Sequence, residues 1–131
     1  MTRTVSPVFL AAAAVVAVAV MTRAEDAVDP RIAAYDKGPA TIDVSKYPPD
    51  MQARYKVFTA RCSKCHTIAR AINCELALDE EWERYVKRMM RKPGSELSPA
   101  DGKQIFEFLA YDSKIRKKEL YERKLKEAAK P

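Results

Sequence analysis

One five-residue stretch brings together side chains that can do chemistry: Cys62-Ser63-Lys64-Cys65-His66. The two thiols are three positions apart, about one helical turn, and the imidazole follows directly. In this order the thiols can add to the two vinyl groups of a haem while the histidine reaches the iron. The stretch therefore predicts one covalently attached haem c, held by Cys62 and Cys65 and bound axially by His66.

The same residues admit other interpretations. A redox-active dithiol would need a βαβ setting, and no stretch of the sequence has the pattern of a strand. A zinc site made of both motif cysteines, His66 and Cys74 would require adjacent residues to bind one tetrahedral ion. A structural disulfide between Cys62 and Cys65 is the third alternative. The sequence assigns no role to Cys74, for which a buried thiol is the simplest expectation and an intermolecular disulfide the alternative.

His66 is the only histidine in the chain, so a second axial ligand must be another kind of side chain. A methionine thioether is a suitable soft donor for haem iron. At 100° per residue, Met89 lies in the middle of an apolar stripe and Met90 lies at its edge. Met89 is therefore the predicted second ligand, with Met90 as the alternative.

Three stretches of helical periodicity position these residues. The first opens at Pro49 and runs directly into the cysteine motif. The second begins at Asp79-Glu80-Glu81, where acidic residues suit the helix dipole, and ends at Pro93-Gly94. The third begins at Ser98, a suitable N-cap, followed by Pro99 at a position that needs no amide hydrogen.

These helices have apolar faces that can surround a prosthetic group. The third helix is expected to bury Ile105, Phe108, Leu109 and Ile115. The residues expected to contact the haem are Tyr55, Phe58, Trp82, Val86 and Leu109. The prediction is an all-α fold with three main helices around one covalent haem.

Both ends of the chain differ in composition from residues 49–112. Residues 25–48 are interrupted by prolines and lack a sustained helical period, which predicts an extended N-terminal arm. From Asp112 onward there are eight basic and four acidic residues. Residues 113–131 are therefore predicted to form a charged, solvated helical extension.

Residues 1–24 have the pattern of an export signal. Arg3 precedes an apolar run of 14 residues, Val8 to Met21, and Thr22-Arg23-Ala24 resembles a cleavage site. The run is shorter than the roughly 20 residues that span a bilayer. Cleavage is the expectation and a retained membrane anchor the alternative. Either outcome places the domain in the periplasm or another extracytoplasmic compartment, where haem c is attached.

Four segments together resemble the monohaem class I c-type cytochromes over roughly residues 49–112: the cysteine motif with Thr67, Trp82 to Met89, Leu97 to Asp101, and Ile105 to Leu109. The resemblance implies a cytochrome c-like fold with His66 as proximal and Met89 as distal ligand. Such cytochromes often place a proline shortly after the motif, whose carbonyl accepts the proximal histidine's N–H. Ala-Arg-Ala-Ile occupies that region here, and the carbonyl of Ala71 is the expected acceptor.

A haem whose axial positions are both filled by protein side chains can change oxidation state without binding a substrate. The predicted ligand pair therefore indicates a single-electron carrier and not an enzyme. Its partners would be a redox-protein donor and acceptor, with acidic surfaces that suit Lys56, Arg61, Lys64, Arg70 and the basic residues beside Met89. A net charge of +6, which falls to +4 without Arg3 and Arg23, and few aromatic residues give no reason to expect nucleic acid. The alternatives are a peroxidase-type haem enzyme or gas sensor with an open or labile sixth iron position, and a charged C-terminal helix that holds the protein to a larger complex.

Overall fold

The computed structural model describes residues 28–131, and this part of the chain is helical without strands, which confirms the all-α prediction. Six helices follow in order: α1 (Pro30–Asp36), α2 (Pro49–Cys62), α3 (Ala69–Asn73), α4 (Asp79–Met90), α5 (Pro99–Arg116) and α6 (Lys118–Ala128). The predicted export signal lies outside the described residues. Among residues 28–131, no helix is both long enough and apolar enough to span a bilayer.

Helix α5 is the centre of the packing, because it contacts α2, α4 and α6. Phe108 of α5 stacks on Phe58 of α2 with ring centroids 5.6 Å apart, and both side chains are fully buried. Trp82 of α4 donates through Nε1 to Ser113 Oγ of α5 at 2.8 Å, inside the same core. A buried indole N–H needs such an acceptor. These contacts hold α2, which leads into the cysteine motif, and α4, which carries Met89, to one common helix.

The helices begin where local hydrogen bonds satisfy their free backbone amides. At the start of α5, Asp101 N donates to Ser98 Oγ at 3.0 Å, and Ser98 N donates to Asp101 Oδ2 at 3.3 Å. This reciprocal pair is a capping box, and Pro99 occupies the first helical position. At the start of α4, the Glu81 carboxylate accepts from two backbone amides, those of Ala77 at 2.9 Å and Leu78 at 3.0 Å. Both starts agree with the sequence prediction.

The prediction of an extended arm was wrong over Pro30–Asp36, which form α1. Asp29 caps this helix by accepting from Arg31 N at 2.8 Å, and Pro30 has the fixed φ that suits a first helical position. The helix has only seven residues. Two turns are too few for an apolar period to stand out from the prolines and glycine that follow.

The prediction that Ile115 is buried was also wrong, because its exposed fraction is 49 %. The core face of α5 at this level is polar, formed by Asp112 and Ser113, which are both buried. Asp112 accepts from Tyr47 Oη at 2.9 Å and from Arg116 Nη2 at 2.8 Å. Burial and the neighbouring Asp112 carboxylate raise the pKa of Tyr47 above its usual value. At this level of α5 the core therefore contains the paired carboxylate of Asp112, while Ile115 is exposed.

The C-terminal segment is helical as predicted, but the prediction that it is solvated was wrong for its first residues. Ser113 is buried within α5, and Lys117 is anchored to the loop that follows α3. Lys117 Nζ donates to the carbonyl oxygens of Cys74 at 2.7 Å and Leu76 at 3.2 Å, and it lies 5.2 Å from the centroid of the Trp82 ring. Burial lowers the pKa of Lys117. Farther along α6, Lys124 forms an ion pair with Glu81 of α4. One face of α6 therefore belongs to the packed domain.

Candidate functional site

One cavity of about 840 Å³ brings the predicted ligands together, since Cys62, Cys65, His66 and Met89 all line it. Cys62 ends α2, and Cys65 and His66 lie in the turn that follows. Met89 comes from the last turn of α4. Because α2 and α4 both pack on α5, side chains from separate parts of the sequence reach the same cavity.

The structure separates the two candidate methionines. Met90 lies against Gly102 of α5, and a Cβ added at this glycine would be 2.5 Å from Met90 Sδ. Met90 lines a second cavity of about 170 Å³ together with Val86 and Phe106. Of the two, only Met89 lines the large cavity that contains the cysteine motif.

All three cysteines of the described chain are free, so the motif thiols do not form a disulfide here. Cys62 is half-buried and Cys65 is exposed. Burial and the neighbouring Cys65 raise the pKa of Cys62 to about 11, which keeps that thiol protonated at neutral pH. Cys74 lines the same cavity and donates through Sγ to the Ala71 carbonyl oxygen at 3.3 Å.

The residues of the zinc alternative are not arranged as a metal site. Residues 28–131 contain no group of three or more His, Cys, Asp or Glu side chains that could hold a metal ion. Tetrahedral zinc needs four converging donors, and neighbouring residues in a chain seldom supply two of them. The geometry does not gather Cys62, Cys65, His66 and Cys74 around one point.

The histidine ring is oriented by a different carbonyl from the one expected. Nδ1 of His66 lies 2.9 Å from the carbonyl oxygen of Thr67, whereas the carbonyl of Ala71 accepts from Cys74. Ala71 lies inside α3, whose end is closed by Cys74, so its carbonyl is used locally. When Nδ1 carries the proton and donates to Thr67, Nε2 is left free as a metal ligand.

The five predicted pocket residues lie in or against the hydrophobic core, and none of them lines the cavity. Tyr55 Oη accepts from Ile42 N at 3.0 Å and holds the N-terminal arm to α2. Phe58, Trp82, Val86 and Leu109 are buried between the helices. In the structure these residues pack the helices that carry the site.

The apolar lining comes from residues that were not predicted to contact the haem: Ile32, Tyr35, Leu76, Tyr85 and Leu97. Tyr85 had a visible signal, because it lies one turn before Met89 on the same apolar stripe. Burial raises the pKa of Tyr85 above its usual value, and the nearby Cys74 and Cys62 thiols add to this effect. Ile32 and Tyr35 belong to α1, so their role depended on a helix that was not predicted.

The charged part of the lining is mostly basic. Its one acidic residue is Glu75, and its five basic residues are Arg61, Arg70, Arg88, Lys92 and Lys124. Arg61 pairs with Asp101 at 3.4 Å, Arg70 with Asp36 at 2.7 Å, and Lys124 with Glu81. The Arg88 guanidinium lies 5.5 Å from the centroid of the Tyr85 ring.

Of the basic residues predicted to face a partner, Arg61, Arg70 and Arg88, which precedes Met89, line the cavity. Lys56 and Lys64 are exposed and do not line it. Lys64 is paired with Glu96 at 3.4 Å.

Comparison of the chain with protein-family models, with curated proteins and with solved structures finds no match in any of the three. The features of this chain that indicate a function are therefore the cysteine motif and the geometry of the cavity.

Proposed function

We propose that this chain is a monohaem c-type cytochrome that carries single electrons between redox proteins outside the cytoplasm. The observation that carries the proposal is the shared cavity of Cys62, Cys65, His66 and Met89. Two free thiols suit the two vinyl groups, and an imidazole with a thioether suits the iron. The cavity volume of about 840 Å³ lies within the roughly 300–1,000 Å³ typical of cofactor and ligand sites.

A bound haem supplies an iron that changes between ferric and ferrous states. Cys62 and Cys65 would hold the porphyrin covalently, and His66 and Met89 would bind the iron. Thr67 orients the His66 ring through its carbonyl oxygen. A neutral thioether favours the ferrous state, so Met89 would raise the reduction potential. With both ligands supplied by the protein, no coordination position would remain for a substrate.

The basic lining of the cavity suits two kinds of anionic group, the propionates of a haem and the acidic surface of a partner protein. Arg and Lys side chains form charge-assisted hydrogen bonds with carboxylates, which include the two propionates of a haem. At the surface, Arg88 and Lys92 are exposed at the rim of the cavity. They would steer a partner with an acidic surface, and the rate of electron transfer should fall as ionic strength rises.

The cysteines provide a direct test with a matched control inside the same cavity. Cys62→Ala and Cys65→Ala each remove one proposed haem bond, whereas Cys74→Ala removes a thiol that lines the cavity outside the motif. We expect haem to stay bound on denaturation of the Cys74→Ala protein, and a Cys62→Ala/Cys65→Ala double variant to release it. Equal haem retention in the double variant and the control would contradict covalent attachment at the motif.

A further inference from the structure

We propose that α1 forms a wall of the haem cavity, and that Asn73 and the Asp36–Arg70 ion pair position this wall so that it keeps water away from the haem. The inference rests on the proposed function and extends it, because it assigns the control of the reduction potential to residues outside the cysteine motif. The residues involved are Ile32 and Tyr35 as the wall and Asp36, Gly38, Arg70 and Asn73 as its attachment.

The wall is made by one face of α1. Ile32 and Tyr35 are three positions apart, so they lie on the same side of the helix, and both line the cavity that contains His66. Among the described helices, α1 packs only against α3. Helix α3 begins at Ala69, three residues after His66. Contacts between α1 and α3 therefore fix the position of Ile32 and Tyr35 relative to His66, the proposed proximal ligand.

Asn73 provides the first attachment. Its Nδ2 lies within hydrogen-bonding distance of three carbonyl oxygens, those of Tyr35 at 3.1 Å, Pro39 at 3.0 Å and Ala69 at 2.8 Å. The two hydrogens of this amide are shared among the three oxygens, so one side chain ties the end of α1 and the following loop to α3. Gly38 permits this contact, because a Cβ at Gly38 would overlap the Asn73 amide.

The Asp36–Arg70 pair provides the second attachment. Arg70 donates through Nε to Asp36 Oδ1 at 3.0 Å and through Nη2 to Oδ2 at 2.7 Å, a two-pronged geometry that fixes orientation as well as distance. Hydrogen bonding to Arg70 lowers the pKa of Asp36, and the same bond raises the pKa of Arg70. The pair therefore stays ionised at neutral pH.

Water access affects the two oxidation states differently. The ferric site carries one more positive charge than the ferrous site, so water stabilises it more strongly. A wall that excludes water raises the reduction potential, and loosening the wall lowers it. This effect requires no change in the iron ligands.

Two uncharged substitutions loosen the attachment without touching the cavity. Asn73→Ala removes the amide, and Gly38→Ala displaces it by the size of one methyl group. Neither residue lines the cavity, and neither substitution changes the net charge. The matched control is Gln52→Ala, because Gln52 Nε2 also ties the arm to a helix, donating to Tyr47 O at 2.8 Å and to Ser45 O at 3.4 Å.

The experiment measures the equilibrium reduction potential and the hydrogen exchange of backbone amides in residues 30–38, both on the full-length haem-bound protein. We expect Asn73→Ala and Gly38→Ala to speed exchange in this segment and to shift the potential to more negative values, with the smaller shift for Gly38→Ala. Gln52→Ala should change neither. If Asn73→Ala does not accumulate, Gly38→Ala and Asp36→Asn supply the same comparison of exchange.

Faster exchange with an unchanged potential would overturn the inference, because α1 would then be attached without shielding the haem. So would an equal shift in the Gln52→Ala protein, or exchange that neither variant alters. These outcomes leave the proposed function intact. Absence of haem from the unmutated protein would instead refute the proposed function, and this inference with it.

Discussion

His66 and Met89 line one cavity although His66 lies in the turn after α2 and Met89 lies in the last turn of α4. Contacts with α5 hold α4 in the position that allows this, among them the hydrogen bond from Trp82 to Ser113 and the close packing of Met90 on Gly102. The core contacts fix which face of α4 is turned inward. With Met90 packed against α5, the preceding residue along the chain, Met89, lies on the part of α4 that lines the cavity.

Substitution of the two adjacent methionines should have different consequences. Met89→Ala should abolish the weak near-infrared sulfur-to-iron absorption band of the ferric protein and allow rapid carbon monoxide binding to the ferrous protein. Met90→Ala should keep the band and lower the free energy of unfolding by about 1–2 kcal/mol, because Met90 is half-buried and the loss is smaller than at fully buried sites. Absorption spectra and denaturant titrations measure both effects. Retention of the band in Met89→Ala would remove Met89 as the ligand, and rapid carbon monoxide binding to the unmutated protein would favour an enzyme or sensor.

Loss of the Trp82 hydrogen bond should destabilise the whole domain. Ser113→Ala leaves the buried indole N–H without its acceptor, which should lower the free energy of unfolding by about 1–3 kcal/mol. The exposed Thr41→Ala is the control and should change it by less than about 0.5 kcal/mol. Guanidinium titration of both variants makes the comparison, and equal midpoints would show that the Trp82 bond is energetically neutral.

Acidification should remove a contribution to stability from Glu81. Burial alone would raise the pKa of this carboxyl, but hydrogen bonds from Lys124 and from the Ala77 and Leu78 amides outweigh it, and the pKa is lowered below the usual value of a glutamate. The unfolded chain therefore binds the proton more readily, so the contribution is full well above the usual glutamate pKa and is lost as pH falls through the folded-state pKa.

A variant of Glu81 measures that contribution. In Glu81→Gln the free energy of unfolding should fall less steeply between pH 5 and pH 3, as followed by denaturant titrations. Lys124→Met is the partner variant in a double-mutant cycle, which should give a coupling energy of about 0.5–3 kcal/mol. A coupling of zero would mean that the ion pair does not anchor α6 to α4.

Removal of the C-terminal segment should damage the domain. Truncation after Ser113 deletes Arg116 and leaves the buried Asp112 carboxylate with Tyr47 as its remaining partner. Breaking a buried ion pair costs about 3–5 kcal/mol, so the truncated chain should unfold more easily and yield less haem-bound protein. Truncation after Ala129 removes only two exposed residues and is the control. A stable truncated protein with an unaltered haem spectrum would support the alternative that the extension serves only assembly.

Much of the fold was predictable because the strong signals are local. The acidic start of α4 and the capping box of α5 are encoded within four residues, and both helices begin as predicted. Successive residues on a helix are about 100° apart, so the sequence could predict that Met89 and Met90 face different surroundings. In the structure the two side chains line different cavities. Helix α1 was missed although Asp29-Pro30 is a helix-start signal, because seven residues show no apolar period.

The lining of the cavity could not be predicted in the same way. Ile32 and Tyr35 reach the cavity because α1 packs against α3, where Arg70 and Asn73 contact α1 across more than thirty positions of sequence. Apolar periodicity identified Trp82 and Leu109 as buried, but it does not distinguish a side chain that faces a haem from one that faces another helix. That distinction depends on tertiary packing.

The intact mass of the mature protein, purified from a host that attaches haem c, tests the central claim most directly. The expected value is the mass of a chain without residues 1–24 plus one haem, which remains bound after denaturation. A mass without haem, in a host that attaches haem to other c-type cytochromes, would contradict it.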